Sequence, residues 1–135
     1  MLIQPVARIP AHKLRTARAY VDSHIAGDLR VDALAQAVGM STFHFAHAFR
    51  QATGVSPHRY VMAMRIERAK AMLRETTLTL DEIAQRIGYS SQSHFSVAFH
   101  KAVGVAPSAF RKRPEAKVNS QVFERGFERS RTAPA

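Results

Sequence analysis

Residues 78–90, LTLDEIAQRIGYS, repeat the pattern of residues 29–41, LRVDALAQAVGMS, at an offset of 49. Leucine, aspartate, alanine, glutamine and glycine recur at the same places in both copies. After one additional residue in the second copy the offset becomes 50, and the match continues through Phe45/Phe95, Ala48/Ala98, Phe49/Phe99, Ala52/Ala102, Gly54/Gly104, Val55/Val105 and Pro57/Pro107. The chain therefore contains one structural unit twice.

Each copy has the pattern of a short helix, a turn and a longer helix. In the second copy Thr79 and Glu82 fit a capping box, in which both side chains bond to backbone amides of the first turn. Arg30 holds the place of Thr79 in the first copy and cannot cap in that way, so we expect the first short helix to begin less firmly. Gly39 and Gly88 fall where two helices must turn sharply, which favours a positive φ. This arrangement is the helix-turn-helix plan.

A long helix is predicted between the two copies. Ser56 suits its N-cap and Pro57 its first turn, and nothing interrupts it until about Thr76. It carries two apolar stripes, Tyr60/Met64/Ala71 and Met62/Ile66/Ala69/Leu73. Two stripes indicate a rod held between two lobes. About 19 helical residues span roughly 28 Å, close to the roughly 34 Å between successive major-groove faces on one side of B-DNA.

The pattern along the chain predicts an all-α protein. A helix from about Lys13 to Ile25 should cover the first copy, and a short helix after Pro107, anchored by Phe110, should close the second. The predicted division is an N-terminal extension (1–12), a first helix-turn-helix subdomain (13–55), a linker helix (56–76), a second subdomain (77–113) and a basic, disordered tail (114–135). In that tail, Phe123 and Phe127 allow one amphipathic turn on a partner.

Charge indicates the class of partner. The chain has 20 Lys and Arg against 10 Asp and Glu, a formal net charge of +10, which favours a polyanion such as nucleic acid or an anionic membrane. The tail is short and carries acidic residues among its basic ones, so it does not suit a basic amphipathic membrane helix. The sequence also has no apolar run of about 18 residues that could span a bilayer. The first eleven residues, MLIQPVARIPA, are too interrupted for a signal peptide. We therefore expect a cytoplasmic protein that binds no membrane.

The longer helix of each copy has a polar face opposite its core side. Phe45 and Phe49 point toward the core, whereas Phe43 points away. The predicted base-reading residues are Thr42, Phe43, Ala46 and His47 in the first copy and Gln92, Ser93, Ser96 and Val97 in the second. Glutamine can pair with adenine, and an apolar side chain can pack on the methyl group of thymine. Alternatively, Phe43 folds back on a neighbouring loop or on the N-terminal helix.

Five further residues are candidates for phosphate contacts because they are basic or can donate hydrogen bonds. They are Arg50, Gln51, His100, Lys101 and Arg111.

Chemistry beyond binding has little support in the sequence. His44 and His47 are three residues apart, but no acidic residue lies at ligand spacing beside them and no HExxH pattern occurs. The sequence also lacks a phosphate-binding glycine loop, a nucleophile elbow and any cysteine. We therefore expect that the protein has no metal site, binds no cofactor and is not an enzyme.

Three segments resemble the DNA-binding domain of the AraC/XylS family of bacterial transcription regulators. They are ALAQAVGMSTFHFAHAFRQATGVSPHRYV (33–61), RIERAKAMLRET (65–76) and IAQRIGYSSQSHFSVAFHKAVGVAPSAFRK (83–112). The resemblance runs from about Leu14 to Arg113. It implies seven helices forming two homeodomain-like helix-turn-helix units on a linker helix, with both second helices in adjacent major grooves of double-stranded promoter DNA.

Only a dozen residues precede the first predicted helix, so the chain resembles the single-domain, MarA-like branch of the family. That branch brings RNA polymerase to promoters as a monomer, and the resemblance therefore favours an activator. The alternative is a fragment of a longer regulator.

The family often has arginine where this chain has His47 and Val97. Because arginine is the commonest reader of guanine, this departure implies weaker guanine dependence and more reliance on methyl contacts and DNA shape. It also leaves a rival hypothesis, a protein-interaction module (an adaptor or anti-activator) that keeps the fold but reads DNA weakly.

Overall fold

The computed structural model describes residues 8–114, and that range contains seven α-helices and no strand. The helices are α1 (Ala11–Ser23), α2 (Val31–Ala37), α3 (Thr42–Thr53), α4 (Pro57–Glu75), α5 (Leu80–Arg86), α6 (Gln92–Val103) and α7 (Pro107–Lys112). The predicted all-α fold with two helix-turn-helix units on a linker helix is confirmed. The tail prediction, including Phe123 and Phe127, lies outside the described residues. None of the described helices has the length and apolarity that a membrane span requires.

The first lobe consists of α1, α2, α3 and the beginning of α4 around one core. Phe45 and Phe49 are almost completely buried there, and the ring of Phe49 meets Tyr60 of α4 edge-on at 5.4 Å between centroids. Helix α1 begins at Ala11, two residues earlier than predicted, because the carbonyl of Pro10 already accepts the first helical hydrogen bond. Ile9 is buried in the same core. Part of the predicted N-terminal extension therefore packs in this lobe.

The second lobe repeats this arrangement with α5, α6, α7 and the end of α4. Its core contains Phe95 and Phe99 from α6 and Phe110 from α7, all nearly inaccessible to solvent. Successive ring centroids along this row are 5.7 and 5.5 Å apart, with edge-to-face packing. Phe110 is thus the apolar anchor that the sequence predicted.

Helix α4 connects the lobes and contributes to both cores. Ser56 caps it by accepting a hydrogen bond from the amide of Arg59 at 3.2 Å. Tyr60 and Met64 pack in the first core, and Ile66, Ala69 and Leu73 pack in the second, which confirms the prediction of two apolar stripes. The assignment was wrong at single positions: Val61 is buried in the first core, whereas the half-buried Met62 and Ala71 belong to neither of the two core clusters.

The two short helices begin differently, as predicted. In α5 the hydroxyl of Thr79 accepts from the amide of Glu82 at 3.1 Å, and the carboxylate of Glu82 accepts from the amide of Thr79 at 2.8 Å. Within the described residues no side chain caps α2. Instead Asp28 accepts hydrogen bonds from both the amide and the guanidinium of Arg30, at 3.0 to 3.1 Å.

Both turns adopt the predicted left-handed conformation at glycine, with φ of 72° at Gly39 and 94° at Gly88. The amide of the next residue reaches back to a carbonyl of the short helix, from Met40 to Ala35 and from Tyr89 to Ala84, each at 2.9 Å. Such bonds satisfy carbonyls at the helix end. The additional residue of the second copy lies in its turn, between Gly88 and the start of α6.

Candidate nucleic-acid interface

Helices α3 and α6 occupy the recognition position of their units, and each begins at a serine cap. Ser41 accepts a hydrogen bond from the amide of His44 at 3.2 Å, and Ser91 accepts one from the amide of His94 at 3.1 Å. These caps satisfy amide donors that have no partner inside the helix. By fixing the first residue of each helix, the caps also determine which side chains of α3 and α6 face outward.

The outward face of α3 carries the predicted base-reading residues of the first copy. Thr42, Phe43 and His47 are exposed and Ala46 is half-buried. Phe43 exposes 77% of its surface, so it does not fold back on the loop or on α1. Its ring lies parallel to that of His47, with 6.2 Å between centroids. The two rings form an exposed aromatic surface at the beginning of α3.

The outward face of α6 carries the corresponding residues of the second copy. Gln92, Ser93 and Val97 are exposed and Ser96 is half-buried. Val97 exposes 67% of its surface. Among the described residues, Phe43 and Val97 are the two large apolar side chains that remain exposed. Val97 corresponds to His47 in the repeat, so the apolar contact lies one helical turn further along α6 than along α3.

The predicted phosphate-contacting residues fall into two groups. Arg50 and Gln51 near the end of α3, and His100 and Lys101 near the end of α6, are exposed. The guanidinium of Arg111 is instead engaged within the protein, donating to the carbonyls of Leu73 at 3.2 Å and Thr76 at 3.1 Å. These bonds tie α7 to the end of α4. Because Nε and Nη2 of Arg111 already donate to the protein, we do not propose Arg111 as a phosphate contact.

A sequence profile described as a helix-turn-helix domain matches residues 34–113, which include both recognition helices. The chain belongs to the AraC/XylS family of transcription regulators. A curated relative, the HTH-type transcriptional activator RhaS of Shigella boydii, is 30% identical over 102 residues, covering 76% of this chain and 37% of that protein. The chain spans between about a quarter and 37% of the length of the curated relatives it matches.

Two solved structures of similar sequence have the same fold. The C-terminal domain of AraT, a response regulator from Geobacillus stearothermophilus, aligns with a TM-score of 0.72 at 34% identity, covering 78% of this chain and 88% of that one. The DNA-binding domain of AdpA, a global transcriptional factor solved in complex with a target DNA, aligns with a TM-score of 0.70 at 28% identity, covering 77% and 98%.

The histidines of this AraC/XylS domain lie mainly in ring contacts and on the surface. His94 meets the ring of Tyr89 edge-on at 5.8 Å, and His24 stacks on Tyr20 at 4.0 Å. Within residues 8–114, no three His, Cys, Asp or Glu side chains come together in a way that could hold a metal ion.

The sequence pattern gives no functional signal for Arg65, which lies among the charged residues between the two apolar stripes of α4. In the structure it connects α4 to the loop after α1. Its guanidinium donates to the carbonyls of Ile25 at 3.1 Å and Gly27 at 2.9 Å, in the loop after α1. The contact joins residues about forty positions apart, and because its acceptors are backbone carbonyls, no complementary side chain indicates it in the sequence.

Proposed function

We propose that this chain is a sequence-specific, double-stranded DNA-binding domain whose helices α3 and α6 enter two adjacent major grooves of a promoter. The observation that carries the proposal is the pair of equivalent outward faces, each centred opposite a phenylalanine core and each carrying an exposed apolar side chain, Phe43 or Val97. The net charge of +10 supports a polyanionic partner. The similar domain of AdpA was solved in complex with a target DNA, which supports DNA as the partner.

Each outward face has a distinct proposed role in base reading. Phe43 and Val97 pack on thymine methyl groups, and Gln92 pairs with adenine through its amide. Thr42, Ala46 and His47 complete the reading surface of α3, and Ser93 and Ser96 complete that of α6. Because no arginine lies at these positions, the preferred site depends weakly on guanine. A selected consensus rich in guanine under both helices would contradict this assignment.

Phosphate contacts supply the part of the affinity that does not depend on sequence. Arg50, Gln51, His100 and Lys101 are exposed near the ends of the recognition helices and are available for this role. If some eight phosphates are neutralised, the logarithm of the association constant should fall with the logarithm of salt concentration with a slope near −7. The two helices sit on one rod, so the site is expected to bend, at a cost on the order of 1 to 6 kcal/mol.

The deciding experiment is selection from a random duplex library, followed by anisotropy titration of the winner and a scrambled duplex at two salt concentrations. We expect a site of roughly 20 base pairs with two motifs about 10 base pairs apart. Phe43→Ala and Gln92→Ala should each weaken the selected duplex by about 1–3 kcal/mol while leaving scrambled DNA unaffected. Arg50→Ala should weaken both duplexes alike.

Two matched variants serve as controls. Gln85→Ala removes an exposed glutamine from α5, and Arg15→Ala removes an exposed arginine from α1, both outside the proposed interface. Neither should change the preference for the selected duplex. Equal binding of wild type to the selected and scrambled duplexes would refute sequence-specific reading.

We further propose that the bound domain activates transcription as a monomer by recruiting RNA polymerase, in the cytoplasm where promoter DNA lies. The activator RhaS among the relatives supports the direction of regulation. Transcription in vitro from a promoter carrying the selected site should rise with added protein, and light scattering should give one chain per duplex. A fall in transcription, or two chains per duplex, would contradict this part of the proposal.

The exposed Phe43 ring also favours a second candidate function, an adaptor that docks on another regulator or on polymerase. Such a module would bind its partner with little salt dependence, and Phe43→Ala would weaken that binding without altering a DNA footprint. The salt slope therefore separates the two candidates.

A further inference from the structure

The middle of α4 holds a contact between the two lobes, centred on Arg65. Its side chain is partly buried, and its guanidinium donates to the carbonyls of Ile25 and Gly27 in the first lobe. Burial lowers the pKa of this guanidinium, although arginine stays charged at any physiological pH. Two carbonyl acceptors held by one planar fork of donors fix the orientation of the group as well as its position.

In the second lobe, the turn between α5 and α6 lies close to the same guanidinium. A Cβ built on Gly88 would lie 2.8 Å from Nη2 of Arg65 and 2.9 Å from the carbonyl oxygen of Ile25. The turn before α6 thus approaches both the Arg65 side chain and the backbone of the first lobe more closely than any other residue type allows. The next residue, Tyr89, is half-buried, and burial raises the pKa of its hydroxyl, although the nearby charge of Arg65 opposes that shift.

The equivalent turn of the first lobe makes no such contact. Gly39 also has a positive φ, yet no atom of the described residues lies within 4 Å of a Cβ built there, apart from its immediate neighbours. The close packing at Gly88 is therefore not a requirement of the turn itself. It is a property of the junction between the lobes.

A second contact strengthens the junction. Arg68, one turn further along α4, forms an ion pair with Asp22 at the end of α1. Arg65 and Arg68 together hold α1 and its following loop against the central part of α4, next to the turn that leads into α6.

Building on the proposed function, we propose that Arg65 is a positioning residue that fixes α6 relative to α3, and thereby sets the number of base pairs the protein accepts between its two half-sites. One added base pair displaces a half-site by about 3.4 Å and rotates it by roughly 34° around the DNA axis. If the junction is rigid, α6 cannot shift and rotate relative to α3 to reach the displaced half-site. If the junction is loosened, α6 can make part of this movement.

The test uses the selected duplex and versions with one base pair removed from or added between the half-sites. For wild type we expect affinity to fall at least about tenfold for either change, as when the base contacts of one helix are lost. Arg65→Met and Gly88→Ala should flatten this profile to within about threefold or move its optimum. Arg65→Lys, which keeps the charge but not the fork, should lie between them and wild type.

The control for Gly88→Ala is Gly39→Ala. Both variants place a Cβ at a positive φ, but only the alanine at 88 intrudes on the junction. Gly39→Ala should keep the wild-type spacing profile even if its melting temperature falls. An unchanged profile in Arg65→Met, Arg65→Lys and Gly88→Ala, with circular dichroism showing that they are folded, would overturn the proposal.

A second measurement does not depend on DNA. The chain has no cysteine, so spin labels can be attached at Gln36→Cys in α2 and Gln85→Cys in α5, both exposed and outside the proposed interface. In wild type the distance distribution between the labels should be narrow, and Arg65→Met should broaden or displace it. A distribution unaffected by Arg65→Met would refute the positioning role, whereas failure of wild type to prefer its selected duplex would refute the proposed function alone.

Discussion

The two lobes share one sequence plan but are stabilised differently. In the first lobe α2 begins without a side-chain cap, the turn at Gly39 is open on its outer side, and the thirteen-residue α1 covers the core. In the second lobe α5 has a complete capping box, the turn at Gly88 is packed against Arg65, and the six-residue α7 closes the core. Internal repetition therefore specifies the path of the chain within each unit, while the surroundings specify how firmly each part is held.

The largest expected effect is the loss of unfolding free energy when a buried phenylalanine is removed from either lobe. It tests whether the two lobes unfold together or separately. Phe49→Ala and Phe99→Ala each remove a nearly inaccessible ring, and each should cost about 3–5 kcal/mol of unfolding free energy. Because α4 contributes to both cores, we expect one denaturation transition, detected together by amide signals of α2 and α5. Two separate transitions, each sensitive to only one substitution, would show that the lobes fold independently.

The next effect compares the turns themselves. Gly39→Ala should cost about 1–2 kcal/mol, the penalty of placing a Cβ in the left-handed region. Gly88→Ala carries the same penalty and in addition forces the Cβ against the Arg65 guanidinium and the backbone carbonyl of Ile25. We therefore expect its cost, measured by urea denaturation, to be at least about twice as large. Equal costs would indicate that the junction yields easily to a methyl group.

The features predictable from sequence were those set by neighbours along the chain. The capping box at Thr79 and Glu82, the serine cap before Pro57 and the left-handed glycines each depend on residues within one or two turns of helix. Helical periodicity likewise separated the buried Phe45 from the exposed Phe43. Local chemistry and a period of 3.6 residues are sufficient for such predictions.

The features that sequence could not show depend on residues brought together by the fold. Arg111 is a basic residue that the sequence offers as a phosphate contact, yet its guanidinium binds the carbonyls at the end of α4. Arg65 is likewise a basic residue on a helix, and only the folded chain brings it beside Ile25 and Gly88. Carbonyl acceptors are present at every residue, so an arginine that binds them has no identifiable partner in the sequence.

A smaller effect concerns the first turns of α2 and α5. Thr79→Ala removes the hydroxyl half of the capping box and should cost about 1 kcal/mol. In the first lobe, Arg30→Ser introduces a capping side chain where none is present among the described residues, and we expect it to raise the melting temperature. The pair of measurements would show whether the weaker start of α2 reflects the missing cap. A fall in the melting temperature of Arg30→Ser would instead assign a stabilising role to the Arg30 contact with Asp28.

The smallest expected effect is a difference in how the carboxylates of Asp28 and Glu82, near the starts of α2 and α5, respond to pH and salt. The amide of Thr79 holds the pKa of Glu82 below its ordinary value of 4.5, and hydrogen bonds from the side chain and amide of Arg30 hold the pKa of Asp28 below 3.8. Because both values are depressed in the folded state, each carboxylate stabilises the fold above its ordinary pKa. The contribution is lost as the pH falls through the folded value.

The partners of these carboxylates predict different salt responses. Asp28 faces the charged, exposed guanidinium of Arg30, whose attraction salt screens, whereas Glu82 accepts from a neutral amide, which salt affects little. In titrations followed by carboxyl-carbon chemical shifts at low and high salt, the pKa of Asp28 should rise toward its ordinary value while that of Glu82 stays low. Glu82→Gln should keep a hydrogen bond to Thr79 and remove the acid sensitivity of the α5 amides. Equal salt shifts for both groups would mean that charge, and not the capping bond, determines the behaviour of Glu82.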